Sequence, residues 1–494
     1  MRNETDNADV PPFLTLMAEK YTGIRKTYVS DSSGSVGDFP RTGRAYTTLK
    51  EKNRTVTSYN KVLGRSWLKS MPTSVQLNNI GFCNLRCPMC PTHGTDAQHA
   101  RYQAKSYTMS RETIDRIAEE SFPYAGQCST SGIGEGLLHK DLDAIIAQAS
   151  RYGTRLFINS NGTSLGVASF HRLFGITELQ LSIDGALPAT FEAIRKGADY
   201  SKTMRAIRVL KRANDCLPNT LKMRPSINFL VCASNIRELP MMIDLAAYLG
   251  AQSLTAYRMM LELNNQFTQE DFGNFPAYYK YYYMAAMERA AAHGIHLTAP
   301  APVADIEADR NAGPPNGGVF AEFSAEDSND GPPVFEDWVD ADGVEEEAVE
   351  LASSVLSHAL ERHTDASDAD YRMAVEQASG LVADLEQHYA QQFAALSPTE
   401  QATIRGSHES ETEILDCLFL HKALYFEADG RARPCCIYDM KAFVGDAKSQ
   451  TVAEIFRGPT LEKFNTEFRA GNLCDDCQKC DVKAMTSLKS LFGN

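Results

Sequence analysis

The sequence predicts an α/β fold in which parallel strands alternate with helices over residues 74–300, joined to a smaller α+β unit over residues 413–494. Three observations predict it. Short alternating-apolar runs are separated by helical stretches, the rhythm of right-handed crossovers onto a parallel sheet. Nine of the twelve cysteines fall in two groups, three directly after the first such run and six in the last 78 residues. Between the two units lies a Gly/Pro-rich acidic stretch with no strand pattern.

Along the chain, residues 74–80 alternate like a half-buried strand, and a helical stretch follows at 111–120. A glycine-rich strand end at 131–136 leads into a helix at 142–152, then a strand from 155 that closes on the Asn161–Gly162 turn. Residues 178–182 form a strand with a polar tip at Asp184, followed by helical stretches at 189–195 and 200–214. Strands at 224–232, 253–258 and 296–299 and a helix at 237–250 complete the first unit. In the second unit, residues 422–428 are expected to be a hairpin arm with Asp429 and Gly430 at its turn.

Residues 1–73 lack strong periodicity and are expected to form an irregular or helical arm, with a turn-rich stretch at 30–37. Residues 301–350 are expected to be mobile, and residues 351–412 helical. There Leu381, Leu385, Tyr389, Phe393 and Leu396 recur at helical spacing, and Ser397 with Glu400 has capping-box form.

The formal net charge is −14, and its distribution matters more than its size. Residues 301–350 hold fifteen acidic side chains and one base, Arg310, so the rest of the chain is neutral. A nucleic-acid partner recruited by bulk positive charge is disfavoured, because phosphate neutralisation needs a basic surface. The insert is read as a solvated loop or as an acidic surface for a cationic substrate. No apolar run approaches the roughly 18 residues of a bilayer span, and the amino terminus is polar. A cytoplasmic protein without a membrane partner is expected, its cysteines reduced.

Cys83, Cys87 and Cys90 have C-x3-C-x2-C spacing with no fourth cysteine nearby. Three thiolates can hold three irons of a cubane cluster and leave the fourth iron open. A closed zinc site is the alternative, with His93 as the fourth ligand. Cys128, Cys216 and Cys232 are scattered and read as buried apolar residues.

This pattern resembles the radical S-adenosylmethionine (radical SAM) superfamily, and the elements that follow are similar in order. Gly134–Glu135 resembles the family's Gly-Gly-Glu-Pro motif, with Ile133 and Gly136 departing from it; Met89 stands where an aromatic residue is usual. The resemblance implies a partial (β/α)6 barrel over about residues 74–300. It implies a 4Fe–4S cluster on Cys83, Cys87 and Cys90 whose open iron chelates SAM. Gly134 and Glu135 would receive the methionine amino group, Ser182 the ribose or carboxylate, and Arg195 the carboxylate, with Asn161 a further pocket candidate. Cys232, near the end of a barrel strand, is a hydrogen-donor candidate in an epimerase reading.

The spacing from Cys417 to Gly430 to Cys435, and then Cys474, Cys477 and Cys480, resembles the twitch or SPASM extension of that superfamily. One auxiliary 4Fe–4S cluster on Cys417, Cys435, Cys474 and Cys477 is implied, with Cys436 and Cys480 as alternative ligands. Two clusters, or a zinc site, remain open. The implied activity is reductive cleavage of SAM to a 5′-deoxyadenosyl radical and oxidative modification of a peptide or small molecule, supplied by a flavodoxin- or ferredoxin-type reductant. A carbohydrate or aminocyclitol dehydrogenase or epimerase, and a non-catalytic iron–sulfur electron carrier, are the other readings. No winged-helix peptide-binding module is evident in residues 1–73.

Overall fold

The computed structural model describes residues 41–66, 68–103, 107–130, 132–165, 175–217, 222–259, 265–314, 318–320, 335, 338–339, 342–365, 368–417, 419–435, 443–480 and 483–492. After helix α1 (Thr47–Leu63), seven parallel strands follow in spatial and chain order. They are β1 (Ser74–Leu77), β2 (Gln127–Thr130), β3 (Arg155–Ser160), β4 (Glu178–Ser182), β5 (Arg224–Val231), β6 (Ser253–Arg258) and β7 (His296–Thr298). Helices α2 (Arg111–Ser121), α3 (Leu142–Tyr152), α4 (Tyr200–Cys216), α5 (Leu239–Tyr248) and α6 (Pro276–His293) cross between them. The α/β reading holds, with β7 as a short seventh parallel strand.

Strand period two separates a dry layer from a polar one. Leu156, Ile158, Leu179, Leu181, Ile227, Phe229 and Val231 have no solvent exposure and form the core under the helices. The alternate residues Asn159, Gln180, Ser182, Asn228 and Leu230 line a cavity at the carboxyl ends of the strands. Parallel sheets place their active-site loops at that end.

Helix α1 explains why its stretch showed no apolar period. Its buried face mixes Leu49, Val56 and Val62 with a larger polar set, Asn53, Thr57, Ser58, Asn60 and Lys61, all enclosed. Asn53 bonds the backbone N–H and carbonyl of Met71, at 2.9 and 3.0 Å, and Asn60 does the same to Leu68, at 2.9 and 3.1 Å. Lys61 donates to both carboxylate oxygens of Asp416, at 2.7 and 2.9 Å. Burial lowers the Lys61 pKa to about 8 while Asp416 opposes the shift. Pattern reading looks for carbon and misses a helix docked by amides.

The second unit divides its strands between the large sheet and a small sheet of its own. Strand β8 (Glu413–Cys417) precedes β9 (Ala423–Phe426), which lies parallel to β1 on the edge opposite β2, pairing Ser74 with Ala423 through Leu77 with Phe426. Strand β10 (Arg431–Arg433) turns back on β9 through Asp429 and Gly430, and β11 (Gly445–Asp446) completes a ten-stranded sheet. Gly430 has φ +92°, a conformation that an L side chain resists. Among the described residues, only β8 and β12 (Lys483–Ser487) stand apart, as an antiparallel pair. The expected hairpin is present, but it extends the barrel sheet.

The acidic stretch is partly built into the fold. Helix α7 (Val344–Asp365) begins inside it and buries Ala348, Leu351, Ala352, Val355 and Leu356. Two arginines of α4 meet its first turn. Arg205 bonds both oxygens of Glu347, at 2.7 and 2.8 Å, and Arg212 bonds Glu345 at 2.6 Å. Acidic residues at a helix amino terminus also suit the helix dipole. Of residues 301–350, expected to be mobile, much of 315–341 lies outside the described residues, as does the 30–37 stretch. Helix α8 (Asp368–Ala395) carries the expected apolar face, with Tyr389 stacked on Tyr59 of α1 at 5.6 Å. Ser397 and Glu400 form the expected capping box at the next helix. Among the described residues, no helix is long and apolar enough to cross a membrane.

Candidate active site

A cavity of about 590 Å³ opens at the carboxyl ends of β1–β6. Cys83, Cys87 and Cys90 line it, and so do Gly134, Glu135, Asn161, Ser182 and Arg195. Eight residues named from five separate stretches of sequence therefore share one space.

The cysteine loop follows β1 and is tied on both sides. The Leu85 N–H approaches Cys83 Sγ at 3.4 Å, and Cys90 Sγ lies 3.1 Å from the Thr92 hydroxyl. Burial pushes the Cys83 thiol up to about 12 and the Cys87 thiol up to about 11, with the guanidinium of Arg195 opposing the latter. A metal that binds these thiols must displace their protons. His93 is not placed as a fourth ligand. One ring nitrogen meets the Ile133 carbonyl at 3.0 Å and the other faces His99 at 3.2 Å. Among the described residues, no three His, Cys, Asp or Glu side chains are gathered closely enough for a single metal ion. A cubane instead takes each thiolate on a different iron, so three thiols spread over one cavity wall with no fourth ligand fit such a cluster.

Gly134 and Glu135 cross directly behind that loop. A Cβ on Gly134 would stand 2.3 Å from the Phe82 carbonyl oxygen and 2.6 Å from that of Ile80, so only glycine fits. The Glu135 N–H then donates to Phe82 O at 2.8 Å. The Glu135 side chain is 2% exposed and accepts the N–H groups of Asn161 and Leu137, at 2.8 and 3.3 Å. Burial raises its pKa, and those donors with the Ser160 hydroxyl hold the rise back. Asn161 is a bracket: its Nδ2 donates to Asn84 Oδ1 at 2.9 Å, and its Oδ1 accepts the Thr163 N–H and hydroxyl.

On the opposite wall, Ser182 donates to Asn159 Oδ1 at 2.8 Å. Arg195 caps the helix Pro188–Ile194 and reaches back to Asp184. Its Nε is 2.5 Å from Oδ2, close enough for strong attraction but poorly aligned as a hydrogen bond. Asp184 itself is fully buried, and its second oxygen accepts the Leu230 N–H at 2.7 Å. The same guanidinium faces Cys87. A fixed cation thus stands between a buried carboxylate and the cysteine loop.

Asn159, Gln180, Asn228, Tyr257, Arg258 and Met259 also line the cavity and were not singled out from sequence, and so does Asp184, read there only as the polar tip of its strand. The signal existed: Asn159 and Gln180 lie two positions before Asn161 and Ser182, and Asp184 two after Ser182, on the same strand faces. Cys232, the hydrogen-donor candidate, is fully buried among Leu85, Cys87, Met89 and Met259 and does not line the cavity. Cys128 is buried in the core, while Cys216 is only half-buried.

The carboxyl-terminal cysteines gather around a second, small apolar cavity. Cys417, Cys435, Cys477 and Cys480 line it with Phe419, Leu420, Phe464 and Phe468. Burial raises the Cys477 thiol pKa, and Cys474, Cys435 and Cys417 add to the rise. Cys474 is exposed and lies against Cys477, whereas Cys480, the alternative ligand, lines the cavity. Cys436 lies outside the described residues. Four thiols set around aromatic walls are a donor set for an iron–sulfur cluster, in which each thiolate takes a different iron.

Residues 78–224 match the radical SAM superfamily model, and residues 417–481 match the SPASM model, an iron–sulfur cluster-binding domain. The chain carries a radical SAM domain followed by a SPASM domain. A radical SAM domain implies a 4Fe–4S cluster and SAM, and a SPASM domain implies auxiliary iron–sulfur clusters. The probable GTP 3′,8-cyclase of Methanocaldococcus jannaschii is 28% identical over 180 residues, 36% of this chain and 56% of that protein. The PqqA peptide cyclase of Methylorubrum extorquens is 28% identical over 176 residues, 35% of this chain and 42% of that protein. The chain therefore spans about half the length, or less, of these curated relatives. Among solved structures, Streptococcus suis SuiB bound to precursor peptide SuiA aligns at TM-score 0.46 and 9% identity, covering 80% of this chain and 66% of that one. Native anSMEcpe with bound AdoMet aligns at TM-score 0.45 and 14% identity, covering 83% and 87%.

Proposed function

We propose that this radical SAM–SPASM protein is an enzyme that cleaves SAM reductively and uses the resulting radical to modify a substrate oxidatively. The observation that carries this reading is the sharing of one cavity by Cys83, Cys87, Cys90, Glu135, Ser182 and Arg195. When bound, the cluster supplies the electron that breaks SAM into methionine and a 5′-deoxyadenosyl radical.

The chain's own residues bind and orient. Cys83, Cys87 and Cys90 hold the cluster; Gly134 leaves room for backbone approach, and the buried Glu135 carboxylate receives the methionine ammonium. Arg195, fixed by Asp184, presents a planar guanidinium to the SAM carboxylate. Ser182 and Asn161 hold the rest of the cofactor from β4 and β3. The strand-end walls exclude water from the reacting centre.

Cys417, Cys435, Cys477 and Cys480 would hold one auxiliary cluster, which would supply an electron acceptor or a binding point for the substrate. A peptide substrate is supported by the similarity to PqqA peptide cyclase, and a small-molecule substrate by the similarity to the GTP 3′,8-cyclases. The chain works in the cytoplasm with a reduced flavodoxin or ferredoxin as donor.

The test is anaerobic reconstitution with iron and sulfide, followed by dithionite and SAM. 5′-Deoxyadenosine should form with the native chain and not with Cys83→Ala/Cys87→Ala/Cys90→Ala. An iron-loaded native chain that forms none, with or without candidate peptides, overturns the reading.

A further inference from the structure

Helix α7 is not the insert's only attachment. Residues 318–320 reach the carboxyl ends of the strands and lock onto two buried side chains, Ser234 and Glu270. The Val319 N–H donates to Glu270 Oε1, and the Phe320 N–H donates to Ser234 Oγ at 3.0 Å. Ser234 in turn donates its N–H and its hydroxyl to Glu270, at 2.9 and 2.8 Å. Glu270 has no solvent exposure, so this carboxylate depends on those donors for its solvation. The fit is tight. Gly318 has φ +116°, and a Cβ there would stand 2.2 Å from Ser234 Oγ. The Phe320 ring meets Phe267 at 4.9 Å and packs on the apolar cluster formed by Leu85, Cys87, Met89, Ile194, Cys232 and Met259, which Cys83 and Cys90 also join.

We propose that Gly318–Val319–Phe320 is a strap that seals the outer side of the cysteine loop, with Glu270 as its latch. The insert thereby closes the face of this cluster turned away from the cavity, so that solvent-borne oxidants and electrophiles reach Cys83, Cys87 and Cys90 from the cavity side alone. This goes beyond the proposed activity, because it concerns access to the three thiols whatever they bind. Glu270 is a positioning residue: it acts through the strap backbone and does not line the cavity. The latch is charge-assisted, and such bonds are about twice as strong as neutral ones.

The test uses the full-length apoprotein, iodoacetamide and peptide mass spectrometry to read alkylation rates cysteine by cysteine. Phe320→Ala and Glu270→Gln should each label Cys87 and Cys90 faster, by roughly tenfold for loss of one hydrogen bond to a charged group. Cys128, buried in the core away from the strap, should keep its rate and thereby report that the fold is intact. In Glu270→Gln the side chain keeps its size but presents an amide in place of one carboxylate oxygen, so it separates latch loss from a cavity left by Phe320. Unchanged Cys87 and Cys90 rates in both variants, with Cys128 protected, overturn the proposal. Acceleration of Cys128 in step with Cys87 and Cys90 in both variants also overturns it, since the strap then supports only general stability. With the cluster loaded, the same variants should bleach faster in air, and a chain lacking Cys83, Cys87 and Cys90 should show no strap dependence.

Discussion

Arg195 Nε lies 2.5 Å from a carboxylate oxygen of Asp184, a side chain with no solvent exposure. Asp184 also accepts the Leu230 N–H, so one carboxylate couples β4, β5 and the arginine that faces Cys87. Breaking a buried pair by removing one partner leaves an uncompensated charge and costs about 3–5 kcal/mol. Asp184→Ala should therefore lower the free energy of unfolding in urea by about 3 kcal/mol. Arg195→Lys should cost less stability but weaken SAM binding, measured by calorimetry, because an ammonium cannot engage a carboxylate in two parallel bonds.

Glu238 gives the protein a pH dependence. Its carboxylate accepts the N–H groups of Ala186 and Leu187 at 2.8 and 3.0 Å and the Thr190 hydroxyl at 2.6 Å, pinning the loop that leads to Arg195. Burial raises its pKa to about 7 from an ordinary value of 4.5, against those hydrogen bonds. Between these two values the folded chain holds more proton than the unfolded one. The Glu238 contribution to stability is thus full below pH 4.5 and is lost as pH rises toward 7. Glu238→Gln should flatten that part of the stability profile, read as urea midpoints across the window. Equal slopes in both proteins would refute the assignment.

Cys480 lines the second cavity, whereas Cys474 is exposed at its edge. After reconstitution, Cys417→Ala, Cys435→Ala, Cys477→Ala and Cys480→Ala should each lose about four irons per chain, one cubane cluster. Cys474→Ala should retain most of its iron. The reverse order for Cys474 and Cys480 would restore the ligand set expected from spacing.

The acidic helix start should behave as a salt-sensitive clamp. Arg205→Ala removes two bonds to Glu347 and one to the Asp342 carbonyl. A loss of about 1 kcal/mol is expected at low ionic strength, shrinking as salt is added. A salt-independent loss would mean that packing of Leu351 and Ala352, and not charge, holds α7.

The strand–helix order was legible because period two and helical spacing report local burial, as at Leu179 to Ser182 and Leu142 to Tyr152. The pairing of β9 with β1 was not, since its partners lie 349 residues apart and no local pattern specifies them. Nor was helix α1, whose buried Asn53 and Asn60 look like surface residues until the backbone that they bond is known. The cysteine spacing named the thiols, and the fold brought Glu135, Ser182 and Arg195 to them. Glu270 escaped notice, and Asp184 was read only as a strand tip, because a buried carboxylate reads as an exposed one until its donors are seen. The acidic stretch looked uniform in sequence, yet it contains a strap at 318–320 and a helix from Val344.

Electron paramagnetic resonance of the dithionite-reduced, reconstituted chain, with and without SAM, tests the central claim most directly. A cluster on Cys83, Cys87 and Cys90 has one iron without a protein ligand, so SAM should shift its spectrum. The shift should vanish in Cys83→Ala/Cys87→Ala/Cys90→Ala, leaving the auxiliary signal unchanged. A native spectrum indifferent to SAM, or zinc in place of iron at those three thiols, would contradict the account.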